Sequence, residues 1–114
     1  MMDCIFCKII NKEIPSQIVY EDKDIFAFKD INPRAPVHIL IIPKRHIPDI
    51  SQIEPEDADL IGRIHVAAVK IAQEAGIAEQ GYRLVNNCKE NGGQEVYHLH
   101  FHLIGGRKLG AFAG

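Results

Sequence analysis

The chain has 114 residues, 46% of them hydrophobic and 25% charged, with six histidines and a formal net charge of -2. That length suits one domain over residues 1–114, burying roughly two-thirds of its unfolded surface, and the composition is that of a folded globular protein rather than a disordered one. Scattered basic residues argue against a protein that grips nucleic acid by its phosphates. No window approaches the ~18 apolar residues of a membrane span, and Met1-Met2-Asp3-Cys4 lacks the basic and then apolar start of a leader, so the expectation is a cytoplasmic protein with no membrane partner.

In chain order, Ile5-Phe6-Cys7-Lys8-Ile9-Ile10 has apolar residues at 5, 6, 9 and 10 and predicts a short helix ending before Pro15. Ile18-Val19-Tyr20 and Ile25-Phe26-Ala27-Phe28 predict two strands joined by the turn Glu21-Asp22-Lys23-Asp24. The stretch from Asp30 to Pro36 carries two prolines and predicts an ordered loop; Val37-His38-Ile39-Leu40-Ile41-Ile42 then predicts a buried central strand ended by Pro43. Pro55, followed by Glu56, Asp57 and Asp59, opens a helix of about twenty residues, whose apolar positions run from Leu60 to Ala75 at three- and four-residue spacing, with Gly76 as its stop. Residues 81–87 predict another strand, 89–93 a polar loop, and 97–104 a final strand antiparallel to it. Strands, one long helix and then more strands describe an α+β domain with a largely antiparallel sheet.

Three cysteines are an odd number for a disulfide framework, and Cys4 and Cys7 form a Cys-x-x-Cys pair. A redox pair of the thioredoxin kind opens a helix after a strand, and the three residues before Cys4 leave no room for one. Half of a zinc site is the preferred reading, with two further ligands required. Cys88 reads as a small buried apolar residue.

The run Tyr97-His98-Leu99-His100-Phe101-His102-Leu103-Ile104 alternates imidazole with apolar side chains. In a strand His98, His100 and His102 share one face, the outer two about 13 Å apart, while Leu99, Phe101 and Leu103 share the other. A phosphate-sized group fits over the middle imidazole; two neighbouring imidazoles could instead share a metal ion, though all three on one straight strand span too far to make an open metal site. Neutral imidazole is a competent nucleophile at phosphorus once its second nitrogen is held by an acceptor. Asn91-Gly92-Gly93-Gln94, just before this run, offers backbone that a phosphate can approach closely.

The block Gly92–Arg107, together with Ile5–Ile10, Ile14-Pro15, Phe28–Pro33, Ala35–His38 and Ile42–Ile47, resembles the histidine-triad (HIT) superfamily in its nucleotide-binding branch. The resemblance implies a five-stranded sheet with one long helix and a short amino-terminal helix, continued across a homodimer. It implies a hydrolase that cleaves purine nucleoside 5′-phosphoramidates through a nucleotidyl-histidine. His100 would be the nucleophile, oriented by the backbone at His98, and His102 would bond the α-phosphate. Asn87, Gly93 and Glu95 would hold phosphate and leaving group, Asp30 the ribose with Ile31 beside it, and Ile5, Phe6 and Ile9 the base.

Cys4-x-x-Cys7 is similar to a bacterial-type subgroup that binds structural zinc, which implies Cys4, Cys7, His46 and His98 as ligands and no cofactor for the chemistry itself. Glu95 stands where many relatives carry Ser or Thr, and the tail from Lys108 lacks the aromatic residue and prolines of other members. A zinc-stabilised dimer that binds purine nucleotides as a scaffold or sensor is the alternative function. Without the resemblance, Ile5, Phe6 and Ile9 read as core, Asp30 as a turn residue, Asn87 as bonding its own loop and His38 as a hydrogen-bonded structural histidine, with no role for His65.

Overall fold

The computed structural model describes residues 4–113. Met1, Met2 and Asp3, part of the start read above as leaderless, and the terminal Gly114 lie outside the described residues. The elements are α1 (Ile5–Ile10), β1 (Ile18–Glu21), β2 (Ile25–Lys29), β3 (Val37–Pro43), α2 (Ala58–Glu74), β4 (Tyr82–Val85), α3 (Lys89–Gly92) and β5 (Phe101–Gly105). The strands form one sheet in the order β1-β2-β3-β5-β4, every neighbour antiparallel. This is the expected α+β architecture, a five-stranded sheet with one long helix and a short amino-terminal one.

Strand alternation sorts the side chains onto two faces. Ile25 and Ala27 of β2, Ile39 and Ile41 of β3, and Phe101 and Leu103 of β5 pack with Ile64, Ala68, Ile71 and Ala72 of α2. Phe26, Phe28, Leu40 and Ile42 face the opposite way and pack with Phe6 and Ile9 of α1. At about 1.5–3 kcal/mol for each fully buried large apolar side chain, both layers are needed to offset the ordering of the chain. The alanines of α2 let the helix approach the sheet closely. Its end is set by Gly76, at φ +77°, where Gly76 N–H donates to Gln73 O at 3.2 Å and Ile77 N–H to Ala72 O at 3.0 Å, a closure that needs a left-handed residue.

The β1–β2 turn has a clear cause: Asp22 Oδ1 accepts from Asp24 N–H and Ile25 N–H, both at 2.8 Å. Three expectations are corrected. The long helix does not begin at Pro55; Pro55–Asp57 is a 3₁₀ turn and the α-helix starts at Ala58, because the Asp57 carboxylate folds back onto Glu54 N–H at 2.8 Å and pairs with Arg45. Residues 89–92 are a short helix rather than a polar loop, closed by Gly93 in the left-handed region at φ +80° and by the Gln94 side chain, whose Oε1 accepts from Lys89 N–H at 2.8 Å.

The histidine strand is shorter than the alternation suggested. Only residues from Phe101 onward join the sheet, so His98 and His100 precede β5. Pairing with β3 stops at Ile41–Phe101. Beyond it the chain bends toward the segment after β3, where Leu99 N–H donates to Ile47 O at 2.6 Å, while Asn86 Nδ2 donates to His100 O at 2.9 Å. Leu99 still joins the α2 face of the core, which leaves His98 and His100 on the side of α1.

Candidate functional site

Beneath α1, on the face away from α2, the sheet carries a cavity of about 510 Å³. Ile5, Phe6, Ile9 and Phe28 give it an apolar end; Asp30, Ile31, Asn87, Gly93, Glu95, His100 and His102 also line it, as does His38. The predicted nucleotide-binding residues therefore all meet at one cavity. A second cavity of about 680 Å³ lies beyond the 30–36 loop and shares Lys29, Asp30, Ile31 and His38, but not His100 or His102.

His100 is buried, with its ring edge-on to Phe6 at 5.2 Å between centroids. Its Nδ1 lies 2.8 Å from His98 O. A carbonyl oxygen only accepts, so Nδ1 carries the hydrogen and Nε2 keeps its lone pair. Burial pushes the pKa of His100 below its usual value, which favours this neutral form at pH 7. One residue's backbone thereby sets the tautomer of the His100 ring.

His102 is set the opposite way by a relay. Arg34 N–H donates to His38 Nδ1 at 3.0 Å, so the hydrogen of neutral His38 sits on Nε2, which lies 2.9 Å from His102 Nδ1. His102 Nδ1 must accept, and its Nε2 carries the hydrogen. With ring centroids 5.0 Å apart, His100 and His102 present one lone pair and one donor. His38 is hydrogen-bonded, as the sequence suggested, but it belongs to the site. No local signal revealed this, because the contact that brings His38 into the site is with His102, on β5 and far along the chain.

Two groups of side chains could be tested as metal ligands. Cys4 Sγ lies 3.3 Å from His98 Nδ1, and Cys7 Sγ lies 3.5 Å from His46 Nδ1 and 3.6 Å from His98 Nδ1. Bonds of about 2.3 Å to sulfur and 2.0–2.1 Å to nitrogen in a tetrahedral site separate S from N by about 3.6 Å. His98 Nε2 donates to Pro43 O at 2.8 Å, so its Nδ1 lone pair is free for an ion, the usual outer-sphere arrangement of a ligating histidine. Burial and the neighbouring Cys4 push the Cys7 thiol up to about 11; an adjacent cation reverses that. This group fits zinc. The other, Asp30, His38 and His102, does not: a metal at His38 Nε2 would need a hydrogen on Nδ1, where Arg34 N–H already donates.

Other residues hold the frame. Buried Gln94 donates through Nε2 to Pro48 O at 2.9 Å and Val96 O at 3.0 Å, fixing the loop ahead of His98. Asn86, not Asn87, makes the side-chain bond to His100 O. Cys88 is only partly buried, with Sγ 3.8 Å from Asp49 Oδ1, so it is not the plain core residue expected. His65 packs its ring on Phe101 at 5.3 Å, away from the cavity.

Burial holds His102 down at about 4 and lowers His38 as well. Both are neutral in the folded protein at pH 7, whereas the unfolded chain titrates them near 6.5. The unfolded state therefore binds more protons below that value, and stability falls as pH drops from 6.5 toward 4. Urea melts at pH 7, 6 and 5 should show a falling midpoint, with the loss bounded at about 1.4 kcal/mol per residue per pH unit; a constant midpoint would contradict this assignment.

Residues 11–109 match the HIT domain family. The chain is 55% identical over 108 residues to the purine nucleoside phosphoramidase of Escherichia coli strain K12, covering 95% of this chain and 91% of that one. Among solved structures, a HIT family hydrolase from Legionella pneumophila Philadelphia 1 superposes with a TM-score of 0.96 at 52% identity, covering 98% of this chain and 100% of that one. A histidine triad protein from Clostridium difficile gives 0.95 at 51% identity, over 98% and 97% of the two chains. With the family match spanning most of its length and relatives this similar in sequence and fold, the chain belongs to the HIT domain family.

Proposed function

We propose that this chain hydrolyses purine nucleoside 5′-phosphoramidates through a nucleotidyl intermediate on His100. It is an enzyme of the phosphoramidase type, in keeping with its 55% identity to the Escherichia coli purine nucleoside phosphoramidase. The observation that carries the chemistry is the 2.8 Å bond from His100 Nδ1–H to His98 O, which leaves the Nε2 lone pair beside the His102 donor. Nε2 attacks phosphorus, the phosphorus–nitrogen bond to the amine breaks, and the amine leaves with a proton taken from solvent. Water then attacks phosphorus, the Nε2–phosphorus bond breaks, and that proton is returned as the nucleoside monophosphate forms.

The other residues have matching roles. His102 Nε2–H donates to a non-bridging oxygen, and backbone near Gly93 and Glu95 with Asn87 steadies the phosphate and leaving group. Asp30 accepts from the ribose hydroxyls beside Ile31, and Ile5, Phe6 and Ile9 flank the purine. The deciding experiment supplies adenosine 5′-phosphoramidate to the wild type. Release of AMP and ammonia, with AMP recovered on His100 after acid-free denaturation, supports the reading; nucleotide binding without turnover supports a scaffold or sensor instead.

Zinc held by Cys4, Cys7, His46 and His98 is proposed as structural: when bound it clips α1 to the chain after β3 and before β5, with no part in the reaction. We read the chain 1–114 as one unit, working in the cytoplasm, where thiols stay reduced. Among the described residues no helix is long and apolar enough to cross a membrane.

A homodimer is proposed across the free edge of β4 and the outer face of α2, where Val66 is 69% and Val69 48% exposed, an unusual load of bare β-branched surface for one helix. Light scattering of Val66→Glu/Val69→Glu should report a monomer against a wild-type dimer. A wild-type monomer would remove this proposal.

A further inference from the structure

A nucleotide phosphate brings negative charge into a cavity already lined by two carboxylates, Asp30 and Glu95. The imidazoles do little to offset it, because burial keeps His38 and His102 uncharged at neutral pH. The cationic side chains on this cavity are Lys29 and Arg34. Of the two, Arg34 is bonded to the histidine pair, its N–H meeting His38, whose Nε2 in turn lies 2.9 Å from His102 Nδ1.

The position of Arg34 is fixed from both sides of its backbone. Its N–H donates to His38 Nδ1 at 3.0 Å, and its carbonyl accepts from Arg107 Nη2 at 3.0 Å. Lys12, Lys44, Arg45 and Arg63 each engage a carboxylate; among the described residues neither Arg34 nor Lys29 makes an ion pair, and only Arg34 offers a guanidinium fork. Its guanidinium is a planar fork of donors on a residue that lines the cavity and whose backbone is tied to His38, and with no acid to satisfy it that fork matches two oxygens of a phosphate.

We propose that Arg34 is a substrate-binding residue whose guanidinium pairs with the non-bridging phosphate oxygens of a nucleotide seated against His100 and His102. This rests on the nucleotide reading above and adds the source of charge neutralisation that the neutral histidines lack. It also makes the site selective for a phosphorylated nucleoside over the bare nucleoside.

Calorimetric titrations with AMP and with adenosine, on the wild type and on Arg34→Gln, Arg34→Lys and Lys29→Gln, test it. Arg34→Gln should weaken AMP roughly tenfold or more, the scale of one charge-assisted hydrogen bond, and leave adenosine within about twofold. Arg34→Lys should fall between the two, and Lys29→Gln should bind AMP as the wild type does. The salt dependence of AMP binding should be shallower in Arg34→Gln, since one screened attraction is gone. An unchanged AMP affinity in Arg34→Gln, an equal loss for AMP and adenosine, or a loss that follows Lys29 instead overturns the proposal while leaving the nucleotide reading intact. A wild type that binds neither ligand overturns the nucleotide reading itself.

Discussion

Replacing His100 by Ala is expected to lower kcat/KM for adenosine 5′-phosphoramidate on the order of 10⁴-fold or more, as removal of a nucleophile does elsewhere, and to abolish the nucleotide adduct. AMP affinity should change only a few-fold, because the phosphate keeps its contacts with His102 and with the loop before His98. The size of the effect separates the two histidines. Loss of His102 removes one donor to a developing charge, about 10²–10³-fold, and leaves His100 able to form the adduct. Mass spectrometry of quenched reactions and steady-state rates check both. A His100→Ala enzyme that still forms the adduct and retains more than about one-hundredth of the activity would place the nucleophile elsewhere. His100→Asn is the milder companion, keeping a polar side chain next to Phe6 while lacking a nucleophilic nitrogen.

The second large effect is on stability. Helix α1 has six residues, too few to persist alone, and its apolar contacts are carried mainly by Phe6 and Ile9. Cys4→Ser or a strong chelator should remove about one zinc per chain and lower the thermal midpoint by roughly 10–20 °C, corresponding to about 3 kcal/mol for a domain of this size. Elemental analysis and calorimetry report the two quantities separately. At temperatures where the variant is folded, turnover through His100 should persist, since the ion takes no part in the reaction. Full zinc content in Cys4→Ser, or a midpoint that does not move, would rule out the four-residue site.

How much of this was legible in the sequence depends on whether the determining contacts are local. Helix α1, the β1–β2 hairpin and the end of α2 at Gly76 follow from apolar spacing and turn residues lying within a few positions of one another. The line of His98, His100 and His102 was visible too, and so was its division from Leu99 and Phe101. That His98 and His100 leave the sheet was not visible, because the bond from Leu99 to Ile47 O and the one from Asn86 to His100 O join segments that alternation says nothing about. His38 was missed as part of the site for the same reason: its role comes from the bond to His102, on a strand far along the chain. Asp57 displaced the start of α2 because its carboxylate reaches back to Glu54 and also pairs with Arg45, a competition that helix-start preferences alone do not anticipate.

His98 offers its ring to the cysteine cluster and its carbonyl to His100. Side-chain mutagenesis can delete the first contribution but never the second, since every replacement residue keeps a carbonyl. Saturation libraries at position 98 will therefore score the ring's contribution to metal retention and remain blind to the backbone oxygen. Preparations that differ in metal content should therefore differ in thermal midpoint, while turnover through His100 persists wherever the chain is folded, because the oxygen that orients His100 belongs to the backbone.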